Sequence, residues 1–143
     1  MKLGVKIALG VAGAFAVLQL VPVERTNPPV TAEIKAPDDV KAILKRACWD
    51  CHSNETVWPW YSRVAPVSFL VRHDVVDGRK HLNFSEWGTY KPERKEKKQK
   101  ECGEEVSEGE MPLAIYVPLH PEAKLSQADK QAIEDWAKGP VSE

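Results

Sequence analysis

Two thiols and an imidazole stand together at Cys48-Trp49-Asp50-Cys51-His52. On one helical turn, both sulfurs at this spacing can reach the two vinyl groups of a single porphyrin. The adjacent imidazole then lies close enough to the ring to coordinate its iron. Cys48 and Cys51 are therefore read as covalent attachment points for one haem c, with His52 as an axial ligand. A Cys-x-x-Cys pair also serves dithiol redox couples and zinc sites. The first wants a strand-then-helix context and the second two further ligands at similar spacing, and the sequence supplies neither.

The iron then needs a second axial ligand or a vacancy. Met111, the only methionine besides the initiator, lies in Gly109-Glu110-Met111-Pro112. A thioether there would raise the reduction potential, which suits electron transfer, although methionines commonly just fill gaps in a core. His73, His81 and His120 compete for the same role, His120 foremost because it shares the loop region of Met111. Beyond the motif come Trp58, Trp60, Tyr61 and Arg63. Flat rings there could wall a porphyrin and their polar tips or the guanidinium could hold a propionate; ordinary core packing explains Trp58 and Trp60 equally well. The Pro66 carbonyl is expected to accept the Nδ1–H of His52 and so fix its tautomer.

These groups must be carried by helices. Pro37 with Asp38 and Asp39 suits a first turn, and Val40, Ile43, Leu44 and Ala47 form one apolar face running into Cys48. Ser126 with Asp129 three residues later, and Gly139 as a stop, predict a last helix over Gln127 to Lys138, striped by Ala132, Ile133, Trp136 and Ala137. Packing the first of these helices against the last across the haem edge would bury both stripes. Lys91 to Glu105 reads as a solvated, charged helix with Gln99, Cys102 and Val106 on one face. Its Arg94, Lys95, Lys97, Lys98 and Lys100 are alternatively a basic docking patch for an acidic redox partner. Cys102 reads as a small buried side chain, with an intermolecular disulfide as the other option. No run alternates with period two for long enough to make a strand, and Val64 to Val71 is interrupted by Pro66, so no element is assigned there and the expected class is all-α.

Residues 1–23 begin with Lys2 and Lys6 and continue as an apolar run from Ile7 to Val23, broken only by Gln19. This is the form of a secretory signal or a membrane anchor, and the run continues past the small-x-small Ala14-Phe15-Ala16, favouring an uncleaved anchor. Residues 24–35 are expected to be a proline-rich linker holding the domain of residues 36–143 away from the membrane. The implied location is the periplasmic side of an inner membrane, in agreement with covalent haem attachment. The formal net charge is −1, or −3 without the two N-terminal lysines, and gives no reason to expect nucleic acid.

Cys48-Trp49-Asp50-Cys51-His52-Ser53-Asn54-Glu55-Thr56, Trp58-Pro59-Trp60-Tyr61, Gly78-Arg79, Leu82-Asn83-Phe84-Ser85-Glu86-Trp87 and Gly109-Glu110-Met111-Pro112 together resemble the bacterial haem-binding domain family, over about residues 25 to 138. That resemblance implies a cytochrome c-like helical fold around one haem, His52 as proximal ligand and Met111 as distal ligand. The expected function is that of a monohaem c-type cytochrome exchanging electrons with redox partner proteins, and not an enzyme. The alternative is a haem-based sensor or peroxidase-like enzyme with an open distal site.

Overall fold

The computed structural model describes residues 1–143 as six α-helices without a strand. They are α1 (Leu3–Leu18), α2 (Asp38–Ala47), α3 (Trp49–His52), α4 (Val67–His81), α5 (Pro92–Glu108) and α6 (Gln127–Lys138). Short 3-10 turns lie at Trp60–Arg63, Trp87–Thr89, Val117–Leu119 and Pro121–Ala123.

The helix ends follow local chemistry. α2 carries Asp38 and Asp39 in its first turn and Lys45 and Arg46 in its last, as the helix dipole favours. α6 opens with a reciprocal capping box: the Asp129 N–H donates to Ser126 Oγ, and the Ser126 N–H to the Asp129 carboxylate. α5 starts with Pro92 and ends at Gly109, whose φ of 80° is left-handed and open to glycine at little cost. The Glu110 and Met111 N–H groups then both donate to the Glu105 carbonyl, turning the chain back on the helix.

α2 and α6 pack together as expected, but α6 makes its most extensive contact with α5. Gly103 permits that approach, because a Cβ there would lie 2.5 Å from the Ala137 Cβ. Ile34, Leu44, Phe84, Trp87 and Ile133 are the deepest apolar side chains. The C-terminal tail closes over them: Trp87 Nε1 donates to the Ser142 carbonyl, Trp136 Nε1 to Ser142 Oγ, and Gln99 Nε2 to the carbonyls of Trp136 and Pro140. Every one of these buried polar groups is thereby satisfied.

Two expectations about organisation change. Residues 24–35 are extended but do not hang free. Thr31 and Ala32 N–H donate to the Ser85 carbonyl, Ile34 N–H donates to the Phe84 carbonyl, and Ile34 itself is wholly buried. A composition that favours extension says nothing about what an extended strand of chain lies against. The second is α4, which begins directly after Pro66. Proline there does not break a helix, since it occupies the cap, where no helical N–H is required. No residue of α1 is buried, and no helix of the protein is long and apolar enough to cross a membrane.

Candidate haem site

Helices α2 to α5 and the loop after α5 enclose a cavity of about 480 Å³, within the range of roughly 300–1,000 Å³ usual for cofactor sites. Cys48, Cys51, His52, Met111, Tyr61 and Tyr116 all reach its wall, more than half of which is hydrophobic. Burial, the largest influence, pushes both motif thiols up to about 12. Thiols so weakly acidic are not poised as dithiol redox nucleophiles, which need a lowered pKa. No group of three His, Cys, Asp or Glu side chains is placed to hold a metal ion.

His52 is oriented from behind. Its Nδ1 lies 3.0 Å from the Gly78 carbonyl and 3.1 Å from that of Leu82. Carbonyls only accept, so Nδ1 carries the proton and Nε2 keeps its lone pair for a metal. Burial, the strongest effect, lowers the imidazole's pKa despite the two carbonyls, and His81 and Lys98 lower it further. The ring is therefore neutral at physiological pH. The acceptors in this arrangement come from the end of α4, not from Pro66. The Pro66 carbonyl sits at the start of α4 and accepts the Phe69 N–H, whereas at the other end the Gly78 carbonyl accepts the Leu82 N–H and has a second lone pair for His52, and the Leu82 carbonyl lies just past the helix.

Gly78 also lets α4 reach the motif. A Cβ there would stand 2.6 Å from the Cys51 carbonyl oxygen. Arg79, next in sequence, donates to the Ser53 carbonyl, Thr56 Oγ1, the Thr26 carbonyl and Asn27 Oδ1, tying the segment after the motif to the N-terminal strand of chain. The loop after α4 completes the support. Phe84 N–H donates to the His52 carbonyl, the Phe84 ring stacks on Trp49 at 5.3 Å, and Asn83 Nδ2 donates to Asn54 Oδ1.

Of the other residues read from the sequence, Tyr61 faces the cavity and Trp58, Trp60, Arg63 and Pro66 do not line it. The 3-10 turn at Trp60–Arg63 explains the split, since it sends Tyr61 inward and leaves Trp60 75% exposed. Trp58 is half-buried, and its indole N–H is the one buried side-chain polar atom without a hydrogen-bond partner. His120 lies behind the wall, stacked on Tyr116 at 3.9 Å, with its Nε2 2.6 Å from the Tyr61 hydroxyl and its Nδ1 3.2 Å from Glu122. His73 is exposed, and His81 reaches only the rim with its side chain 70% exposed. Cys102 reaches the same wall from α5, and burial, its largest influence, pushes its thiol far up.

Tyr116 and Asp50 had no local signal in the sequence. The Tyr116 hydroxyl donates to Asp50 at 2.7 Å, and Asp50 also accepts the Val57 N–H. Asp50, inside the motif, thus ties Tyr116 of the loop after α5 to the segment after α3.

Free thiols, a neutral imidazole and a thioether around one largely apolar cavity are a donor set suited to haem. Comparison with known families agrees: residues 13–139 match the model of the haem-binding domain. The chain belongs to that family, and haem is its cofactor. No curated protein and no solved structure matches the chain.

Proposed function

We propose that this is a monohaem c-type cytochrome that transfers electrons to and from redox partner proteins. The observation carrying the reading is the convergence of Cys48, Cys51, His52 and Met111 on one cavity, with His52 Nε2 left as the coordinating atom. Bound haem supplies a one-electron ferric/ferrous couple. Cys48 and Cys51 would hold it as thioethers, each S–H adding across one vinyl group, and His52 and Met111 would fill the two axial positions. The surrounding apolar wall excludes water and favours the less charged ferrous site.

One observation favours the second reading, a haem-based sensor or peroxidase-like enzyme. Tyr61 on the cavity wall is hydrogen-bonded through His120 to Glu122, whose side chain is exposed, which is a route for a proton. Optical spectra of the purified protein, oxidised and reduced, with and without carbon monoxide, separate the two. Electron transfer requires a far-red methionine-to-iron band and no carbon monoxide binding; ready binding gives preference to the sensor or enzyme. Denaturing gels stained for haem report whether the attachment is covalent.

The basic start and apolar run of residues 1–23 support a periplasmic protein held at the inner membrane by its N-terminal segment. Retention in membranes after a carbonate wash, with the N-terminus intact by mass spectrometry, is the expected result.

A further inference from the structure

Residues 19–25 are stitched across the surface made by residues 62–72. The Gln19 amide joins the last turn of α1 to Ala65: Nε2 donates to the Phe15 carbonyl at 2.9 Å and the Ala65 carbonyl at 3.2 Å, and Oε1 accepts the Ala65 N–H at 2.9 Å. Arg25 donates to the Ser62 carbonyl at 3.1 Å, and Arg72 faces Glu24 at 3.9 Å. α1 therefore leaves the domain from a fixed point. Its 16 residues bury nothing and reach about 24 Å, short of a hydrocarbon core of about 30 Å.

Around that exit point the domain itself is apolar. Trp60 is 75% exposed, Val64 37%, and Val67 and Leu70 43% each. Val67 and Leu70 stand one turn apart on the same face of α4. Tryptophan is the side chain most at home at a membrane–water interface, and Arg63 on the same turn and Arg72 against Glu24 at the exit point carry the charge that anionic headgroups attract. A short helix and an adjoining apolar rim satisfy each other, because a domain seated in the interface lets the helix sit deeper.

We infer that this face is a bilayer-docking surface: Trp60, Val64, Val67 and Leu70 enter the headgroup region while Arg63 and Arg72 lie against anionic lipid. The inference rests on the membrane-anchor reading. It also sets the cavity's Pro59 and Tyr61 edge next to the membrane, since both flank Trp60.

The test is photo-cross-linking of the full-length, haem-loaded protein in phosphatidylglycerol-containing vesicles that include a phospholipid with a diazirine in its acyl chain, with adducts located by mass spectrometry. Adducts in α1 and again within residues 60–70 are expected. Adducts confined to α1 overturn the docking surface and leave the anchor standing, whereas adducts in neither overturn both. Gln19→Ala should lower the domain adducts several-fold relative to those in α1, and an unchanged ratio overturns the fixed exit point.

Discussion

Met111 is the one thioether on the cavity wall, and alanine in its place removes the ligand proposed to pair with His52. Met111→Ala is expected to abolish the far-red band, lower the reduction potential and admit carbon monoxide, all readable in spectra and a potentiometric titration. If the band survives, Met111 is not the ligand. Tyr61 gives a second test at this scale. Tyr61→Phe removes the hydroxyl bonded to His120 while keeping the ring, so a cytochrome with both axial positions filled should keep its spectrum and carbon monoxide resistance unchanged. The motif residues were legible because their chemistry is local. Tyr116 and Asp50 were not, because only the fold brings a loop hydroxyl to a carboxylate 66 residues away.

At the scale of elements, the decisive contact is α4 against the motif. Gly78→Ala would drive a methyl into the Cys51 carbonyl, pushing α4 outward and lengthening both bonds to His52 Nδ1. A stability loss of about 1–3 kcal/mol is expected by thermal melting, as for other overpacked sites, with a shift in reduction potential. An unchanged melt and potential would show the approach to be slack. The cap of α6 makes a pH-dependent case. Arg46, foremost, and Ser126 hold the Asp129 carboxyl down at about 2, against an ordinary 3.8. The unfolded chain thus takes up this proton first. The contribution is full above about pH 4 and is lost as pH falls through about 2. Asp129→Ala should cost about 1 kcal/mol at neutral pH and flatten the acid limb of the stability curve. α2 and α6 were readable from caps and spacing, and α4 was not, because Pro66 at a cap and Pro66 within a broken strand look alike in sequence.

For the whole molecule, Trp87 joins the family motif to the C-terminus, with its ring fully buried and its N–H on the Ser142 carbonyl. Trp87→Ala should destabilise the protein by about 3–5 kcal/mol in denaturant titrations. Asn54, Asn83 and Ser85 form a buried polar network that also holds the Pro29 carbonyl, so residues 24–35 belong to the domain they were expected merely to tether. This explains why Leu82-Asn83-Phe84-Ser85-Glu86-Trp87 stood out: it is the brace behind His52.

The sequence by itself determined the haem cofactor, the all-α class and both ends of α2 and α6, because motif spacing, capping and helical periodicity act within a few residues. Tertiary structure alone decided which carbonyls orient His52, which aromatic faces the cavity and where the N-terminal segment lies. Those depend on close approach between segments far apart in the chain, set by a missing Cβ at Gly78 and by buried polar groups finding partners. Neither leaves a local pattern to read.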